Sequence, residues 1–355
     1  MFPDAEYRTW GIKIIKSTNM GAKTFRLLFV FISGFAIAGH GQTDSLTYAE
    51  KLGFPKGAKV IILHVDDAGM SFDSNQGAIG AIQGGIASSV SVMMPCPWVP
   101  GFVHFLQQHP STDAGLHLTL TSEWRDYRWG PLSGKSKVPG LVDPEGDMWS
   151  DVEDVVKHAS PDEVETELRA QIDRALQMGF HPTHIDSHMG TLFASMAFAQ
   201  RYIKVGMEYN IPVMFPCGHN TLIRAQMKAS TPSAEMTRMV GQMLWNAGLP
   251  VLDDLHNTSY DWQLPKGMAP SSENWKKFKI KQYIETFGLL KPGITMVIMH
   301  CTAPSNIFKY ISDSGPSREA DLLAMQSPEL KQYLAKEGVI ITTWRELKQR
   351  RDKLK

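Results

Sequence analysis

The run Val60-Ile61-Ile62-Leu63-His64-Val65, followed at once by Asp66-Asp67, decides the fold of this chain. A continuous, mostly apolar stretch of this length is typical of a β-strand that is covered on both faces. Such strands occur in parallel sheets whose crossover helices lie on either side of the sheet. The stretch therefore predicts a central parallel strand with two carboxylates at its C-terminal end.

Outward from this run, predicted strands and helices alternate along the chain. Apolar runs and alternating patterns predict further strands at 86–94, 114–121, 183–187, 212–215, 294–299 and 339–343. Capping signals and helical periodicity predict helices at 75–83, 102–108, 160–179, 192–209, 327–338 and 344–355. This alternation predicts an α/β fold with a parallel sheet, closed as a barrel or open and doubly wound.

Composition places the chain among globular proteins. It has 355 residues, 43% of them hydrophobic, with 36 basic and 36 acidic side chains. This length and apolar share allow a large core and exclude disordered and disulfide-scaffold classes. Balanced charge gives no reason to expect binding to nucleic acid or to anionic membranes. The length fits one (β/α)-barrel domain or two smaller domains.

Several function classes are disfavoured by motifs that the chain lacks. No G-x-G-x-x-G follows the first predicted strand, and no G-x-x-x-x-G-K occurs, which argues against nucleotide binding. The cysteines Cys96, Cys217 and Cys301 form no C-x-x-C, which argues against a cysteine zinc finger. Their odd number indicates that at least one thiol stays buried and reduced.

Residues 1–41 predict an export signal. Lys23 and Arg26 precede an apolar run at 27–38, and small and polar residues follow at 39–44. A basic start, a short apolar run and a small-residue exit are typical of a secretory signal peptide. The run is short for a bilayer span, which takes about 20 residues. We therefore expect export to the periplasm or beyond, without a stable membrane anchor.

The start of the chain has alternative interpretations. Met20 is the better start of translation. Residues 1–19 are therefore predicted to be an extension that results from placing the start codon too early. A buried N-terminal helix and an uncleaved anchor are the other two options for the apolar run. The mature domain is predicted to occupy residues 42–355.

Two stretches are predicted to be insertions over one end of the sheet, 123–151 and 217–272. Both are rich in Pro, Gly and Trp. Tryptophan faces stack on sugar rings, but they also pack loops onto a barrel, and the sequence does not separate these roles. The tryptophans in or near predicted loops are Trp98, Trp124, Trp129, Trp149, Trp245 and Trp262.

Acidic and imidazole side chains gather at the C-terminal ends of the predicted strands. They are Asp66, Asp67, His117, His184, Asp186, His188 and His300. In a parallel barrel these ends converge on the face where catalytic groups are found. Carboxylate oxygen with imidazole nitrogen suits zinc and, more loosely, manganese, cobalt or magnesium. An incomplete set of protein ligands leaves positions for water and substrate, as in catalytic metal sites.

Each of these residues also has a structural interpretation. Asp67 could cap a helix or hold the turn at Gly69, and His117 could be a hydrogen-bonded core histidine. His184 could hydrogen-bond a ligand or support Asp186. A thiol nucleophile at Cys301 is disfavoured, because strand neighbours point to opposite faces and His300 takes the site face.

With these residues assembled, the chain resembles the YdjC/ChbG-type carbohydrate deacetylase family, a branch of the polysaccharide-deacetylase-like barrels. The likeness runs from about residue 59 to 343. The matching stretches are 64–71 (HVDDAGMS, similar to N-A-D-D-F-G-x-S), 85–91 (GIASSVS, to G-I-V-T-S-T-S), 115–121 (GLHLTLT, to G-L-H-L-N-L-T), 182–188 (PTHIDSH, to P-T-H-I-D-S-H), 292–300 (a strand ending in histidine) and 318–323 (READLL, to R-x-x-E-L-x-x-L).

The resemblance implies a distorted TIM-like (β/α) barrel, a single domain with loop insertions, that removes an acetyl group from an N-acetylated sugar with metal assistance. It implies a catalytic base at Asp66 and a proton donor to the leaving amine at His300. It also implies one divalent metal, Mg²⁺ or Zn²⁺, held by Asp67, His117 and His188.

His184 and Asp186 are expected to contact substrate or to support the site, with Asp186 orienting His300 or His188. The expected partner is an N-acetylated mono- or oligosaccharide. A homodimer is one oligomeric state that the sequence leaves open. A metal-dependent esterase, another amidohydrolase and a non-catalytic glycan-binding barrel are the alternative functions.

Three departures from the family pattern affect the wall that faces substrate. The family often continues S-H-x-H-V-H after the third ligand, whereas Met189-Gly190-Thr191 follow here. Cys301-Thr302 follow the late histidine instead of Pro-Gly or Pro-Ala, and Ala68 replaces Phe. The proposed metal ligands survive these changes, but the wall that faces substrate differs, so the particular family substrate is not carried over.

Overall fold

The computed structural model describes residues 46–227 and 233–354. The predicted signal peptide at 1–41 lies outside these residues. Within them the strands are Lys59–Ala68 (β1), Ser89–Val92 (β2), Ala114–Leu118 (β3), Ile185–Ser187 (β4), Asp254–His256 (β5), Gly293–Met299 (β6) and Ile340–Ile341 (β7).

All the strand pairs are parallel, and their order is β4-β3-β2-β1-β6-β5. β6 pairs with one edge of β1 from Lys59–Gly293 to Val65–Met299. β7 pairs with the start of β1, at Val60 and Ile61, and β2 pairs with its end. The predicted central strand is therefore confirmed, and it is buried from Val60 to Ala68.

Isolated parallel bridges connect the two outer strands of this order. Ile185 of β4 pairs with Val213, and Pro216 pairs with Leu252, just before β5. The Ile185 N–H donates to the carbonyl of Pro212, which continues the ladder beyond β4. Pairing thus runs around the whole sheet, through short and irregular strands on one side. The predicted distorted TIM-like barrel is confirmed, and the open doubly wound alternative is wrong.

Helices cover the outside of the sheet. They are Tyr48–Lys51 (α1), Phe72–Gln83 (α2), Val99–Gln108 (α3), Val152–His158 (α4), Pro161–Gln177 (α5), Met196–Glu208 (α6), Thr221–Met227 (α7), Ala234–Asn246 (α8), Ser272–Gly288 (α9), Gly315–Met325 (α10), Pro328–Lys336 (α11) and Trp344–Asp352 (α12). The predicted capping box is present at the start of α5, where Ser160 and Glu163 satisfy each other's backbone N–H groups.

Several boundaries differ from the predictions for local reasons. α2 begins at Phe72, earlier than predicted, because the Ser71 side chain accepts the N–H of Ser74 as an N-cap. The helix predicted at 192–209 begins later, at Met196, because the extended backbone of Ser195 separates α6 from a short 3₁₀ turn that ends at Phe193. The strand predicted at 212–215 is only the single bridge at Val213.

The two predicted insertions differ in kind. Residues 123–151 contain one short 3₁₀ turn, Pro139–Leu141, and lie over the C-terminal end of the barrel, as expected. Residues 217–272 carry α7, α8 and β5, so part of this stretch is barrel wall rather than insertion. The strand was missed because β5 is short and polar, with Asp254 and His256 at its ends.

The core contains the three cysteines, each buried as a free thiol. At the N-terminal end of the barrel, the Asp253 carboxylate accepts the N–H groups of Tyr48, Ala49 and Ile294. These hydrogen bonds dock α1 onto β6. Within residues 46–227 and 233–354, no helix combines the length and the apolar character needed to cross a membrane.

Candidate functional site

The strand ends bring the predicted site residues together at one end of the barrel, as the parallel topology requires. Six of them are buried, and His300 is partly exposed. Their places in the fold are Asp66 and Asp67 near the end of β1, His117 in β3, His184 just before β4, Asp186 in β4, His188 just after β4, and His300 just after β6.

A β-bulge at the end of β1 allows two consecutive carboxylates to face the same site. In a regular strand, Asp66 and Asp67 would point to opposite faces. The β1–β2 pairing shifts register between Val65 and Ala68, and Asp67 has a φ of 65°. A non-glycine residue in this left-handed region is strained unless its surroundings hold it. Here Arg318 Nη1 holds it, because it donates to Asp67 Oδ2 at 2.7 Å.

Asp67, His117 and His188 form the set of residues best suited to hold a metal. Asp67 Oδ1 lies 3.3 Å from His117 Nε2 and 3.4 Å from His188 Nδ1. Ligands at 2.0–2.1 Å from a tetrahedral zinc ion lie roughly 3.3–3.4 Å apart, so these spacings fit. Asp67 Oδ1 is buried and accepts no hydrogen bond from the described part of the chain. A cation at this point would satisfy it.

Each candidate histidine ligand is held from behind by a carboxylate. His117 Nδ1 donates to Asp186 Oδ1 at 2.6 Å, which leaves Nε2 to face Asp67. His188 Nε2 lies 3.1 Å from Glu123 Oε2, which leaves Nδ1 to face Asp67. Metal-bound histidines almost always donate their second ring N–H in this way, and the donation fixes the ring tautomer. The arrangement is therefore consistent with a divalent metal site.

The electrostatics of the site also favour a bound cation. Burial alone would lower the pKa of His117, but the Asp66 and Asp186 carboxylates outweigh it and hold the pKa well above its usual value. For His188, burial is likewise outweighed, by Glu123 and Asp67, and the pKa rises to about 9. Without a cation, these raised pKa values favour protonated rings beside the buried carboxylates. A divalent ion would take over that role and displace them.

Asp66 and His300 lie beside the metal ligands. Asp66 Oδ2 is 3.7 Å from His117 Nε2 and 3.8 Å from His300 Nε2. Burial lowers the pKa of His300 to about 4, with the Arg318 guanidinium adding to the shift. Tyr260, which is 39% exposed, covers the His300 ring edge to face at 5.0 Å. A carboxylate and a neutral imidazole therefore share the open side of the site.

Two expectations about supporting residues are corrected or refined. Asp186 was expected to orient His300 or His188, but β4 pairs with β3 in a register that places it opposite His117, which it contacts instead. His184 is completely buried, with its ring stacked on Trp344 and Nε2 at 3.6 Å from Asp186 Oδ2. His184 therefore lies behind the site, on the side of Asp186.

The Cys301 thiol lies in the core. Burial raises the pKa of this thiol well above its ordinary value, and the side chain is 1% exposed. A thiolate nucleophile needs a lowered pKa and access to substrate. The structure therefore agrees with the prediction that Cys301 is not a nucleophile.

The tryptophans divide between packing and exposure. Trp129 is buried in a small apolar cluster with Met70, Met93 and Phe308, which fastens the 123–151 loop over the barrel end. Trp149 donates to the carbonyl of Gly140 within the same loop. Trp98, by contrast, is 44% exposed and its ring contacts Phe72 at 5.3 Å.

Sequence reasoning missed two residues of the site. Glu123 begins the 123–151 loop, and no local pattern marks it, because its contact with His188 depends on the path of that loop. Arg318 lies in the READLL stretch, which the family resemblance included without a role for the arginine. Its contact with Asp67 joins residues that are 251 positions apart.

Replacing Glu123 with Ala should weaken metal binding by about 10–100-fold, because His188 loses the carboxylate that orients it. A chelator competition assay on the purified protein measures this change. Glu145→Ala is the matched control, because Glu145 lies on the same loop with an exposed carboxylate. Equal metal affinity in the two variants would show that Glu123 does not orient a metal ligand.

Comparison with known proteins gives relatives of similar length. A carbohydrate deacetylase from Thermus thermophilus is 29% identical over 310 residues, which is 84% of this chain and 97% of that protein. Another, from Thermoanaerobacter pseudethanolicus, is 24% identical over 290 residues, covering 82% of this chain and 100% of that protein.

A solved structure shares the fold. The crystal structure of an Enterococcus faecalis V583 protein, provisionally described as a cellobiose-phosphate cleavage protein, matches with a TM-score of 0.64 at 21% identity. The match covers 82% of this chain and 99% of that one. The family model described as YdjC-like protein matches residues 60–336, and the chain belongs to this family, as its motifs predicted.

Proposed function

We propose that this protein is a metal-dependent hydrolase that removes the acetyl group from an N-acetylated sugar or oligosaccharide. The observation that carries the proposal is the buried, unpartnered Asp67 Oδ1 facing nitrogens of His117 and His188, with Asp66 and His300 alongside. Relatives that span the same length are named carbohydrate deacetylases, which supports the same reaction class.

Asp67, His117 and His188 would hold the metal, Mg²⁺ or Zn²⁺. The chemistry that such an ion supplies when bound is Lewis acidity, which lowers the pKa of water and stabilises negative charge on a carbonyl oxygen. Asp66 presents Oδ2 toward the same space. We assign Asp66 as the general base that accepts a proton from the water that attacks the acetamide carbon.

The C–N bond breaks only if the departing nitrogen receives a proton, because an amide anion is a very poor leaving group. We assign this donation to His300, whose Nε2 lies 3.8 Å from Asp66 Oδ2. Burial lowers the pKa of His300 to about 4, so the ring is neutral at pH 7 and must gain a proton before it can donate one. Asp66, protonated during the attack, is its nearest source.

Exposed aromatic side chains near the strand ends support a sugar substrate. Tyr260 lies against His300, and Trp98 and Phe72 form an exposed pair after β2 and β1. Aromatic rings of this kind offer faces on which a sugar ring can stack. These contacts do not identify the acylated sugar, and the departures from the family motifs leave its identity open as well.

The test of this function couples metal content to acetate release. The mature protein is stripped with a chelator, reloaded with Zn²⁺, Mg²⁺, Mn²⁺ or Co²⁺, and given a panel of N-acetylated mono- and oligosaccharides and an ester probe. We expect acetate from at least one amide substrate, in proportion to the metal bound. Acetate from the ester alone would make the protein an esterase, and sugar binding without turnover would make it a glycan-binding barrel.

We propose further that the protein is exported, on the strength of Lys23, Arg26 and the apolar run at 27–38. Mass spectrometry of the protein from a fractionated bacterial host tests this. Cleavage within about 39–44 and recovery from the periplasm or medium are expected. An uncleaved protein in the cytoplasm would contradict export.

A further inference from the structure

His64 lies beneath the site, two residues before Asp66 on β1. Because side chains two residues apart on a strand point to the same face, His64 and Asp66 both face the barrel interior. His64 is completely buried. Its Nδ1 lies 3.0 Å from Ser89 Oγ and its Nε2 lies 3.0 Å from Ser91 Oγ, so β2 holds both ring nitrogens.

The same Nε2 atom pairs with two carboxylates. It lies 3.0 Å from Asp66 Oδ1 and 2.9 Å from Asp186 Oδ2. Two carboxylate oxygens would repel an unprotonated nitrogen at this distance, so Nε2 carries a proton. Burial alone would lower the pKa of His64, but Asp186 and Asp66 outweigh it and raise the pKa to about 9. Ser91 Oγ adds a hydrogen bond to Asp66 Oδ1 at 3.4 Å.

These contacts use one oxygen of each carboxylate and leave the other for the site. With Oδ1 of Asp66 turned toward His64, Oδ2 faces His117 Nε2 and His300 Nε2. With Oδ2 of Asp186 turned toward His64, Oδ1 accepts the hydrogen bond from His117 Nδ1. One protonated imidazole therefore lies between both acids: it hydrogen-bonds Ser91 and attracts the two carboxylates by its charge, since Asp186 Oδ2 accepts no hydrogen bond from the described part of the chain.

We propose that His64 is a positioning residue. It holds the Asp66 carboxylate with Oδ2 toward the reacting atoms, and it links Asp66 to Asp186, the carboxylate that orients His117. The proposal rests on the proposed function, because Asp66 matters to catalysis only if it is the general base. His64 touches neither the candidate metal ligands nor the open side of the site, so it acts through Asp66 and Asp186.

A double-mutant cycle tests the link to Asp66. His64→Leu should lower kcat for acetate release by about 10–100-fold with little change in KM or metal content. Its melting temperature should fall as well, because two buried carboxylates lose their cationic neighbour. His64→Gln, whose amide N–H reaches a similar position, should recover most of that loss. In an Asp66→Asn background, His64→Leu should cause a much smaller further loss than in the wild type, because the base that it positions is already removed and only its contact with Asp186 remains. His181→Leu, at an exposed histidine before β4, is the matched control.

A measurement that needs no turnover tests the geometry itself. In protein with ¹⁵N-labelled imidazoles, we expect a slowly exchanging Nε2 proton that is absent from the His64→Gln variant. Its resonance should shift in Asp66→Asn and in Asp186→Asn and stay in place in the His181→Leu control. A His64 ring without a proton on Nε2 would overturn the proposal.

The outcomes separate failure of this proposal from failure of the proposed function. If Asp66→Asn alone keeps full activity, the base assignment fails. If Asp66→Asn lowers activity as expected but His64→Leu lowers the remaining rate by the same factor as in the wild type, the positioning role fails. One further result would overturn the positioning role. The ligand atoms of His64, His184 and Asp186 lie within 4.8 Å of one another. If the protein binds a second metal equivalent that is lost in His64→Gln, these three residues form a cation site instead.

Discussion

Asp66→Asn should reduce the rate of acetate release by about 10²–10⁴-fold, the usual cost of losing a general base. Asn keeps the size and shape of the side chain, and its oxygen can still accept the hydrogen bond from Ser91. What it loses is the ability to take a proton from the attacking water. The variant should therefore fold and bind metal normally, and a steady-state assay with a parallel metal determination measures both.

Two comparison variants sharpen this result. Asp126→Asn changes an exposed carboxylate that pairs with its neighbour Arg125, so activity should be unchanged. Asp67→Asn should lose metal and activity together, because Asp67 is a candidate ligand. If Asp66→Asn also loses its metal, Asp66 is a ligand rather than the base. Full activity in Asp66→Asn would refute the assignment altogether.

The parallel barrel and most of the site could be predicted from sequence because both depend on strong local patterns. The apolar run of β1 indicates a strand covered on both faces, and the carboxyl ends of parallel strands must meet. Asp66, His117 and His300 therefore converge whatever the loops do. The motif at 182–188 adds Asp186 on β4 and His188 just after it, because both lie at the same end of a parallel strand.

The remaining parts of the site depend on long-range packing that no local pattern records. Glu123 reaches His188 because the 123–151 loop folds back over the barrel, and Trp129 buried under that loop holds it there. Asp67, which has a left-handed backbone, is held through its carboxylate by Arg318, far along the chain. β5 is too short and polar for periodicity to reveal it.

Lys279→Met should destabilise the protein by about 3–5 kcal/mol, because it leaves a buried carboxylate without its cation. Lys279 lies on α9 and is completely buried. Its Nζ is 3.0 Å from Asp321 Oδ1 and donates to the carbonyl of Ser259 at 2.7 Å. Asp321 would keep only neutral donors, the Tyr283 hydroxyl and the His300 backbone N–H. The free energy of unfolding from urea denaturation measures the loss.

Lys281→Met on the same helix is the matched control, because Lys281 is exposed and its ion pair with Glu285 spans 3.8 Å. It should change stability by less than about 0.5 kcal/mol. Lys279→Met combined with Asp321→Asn should recover part of the loss, since removing both charges is far less costly than stranding one. If Lys279→Met costs no more than Lys281→Met, the buried pair does not stabilise the fold. If the double variant is no better than Lys279→Met alone, the cost lies in lost packing of the lysine stem rather than in the stranded charge.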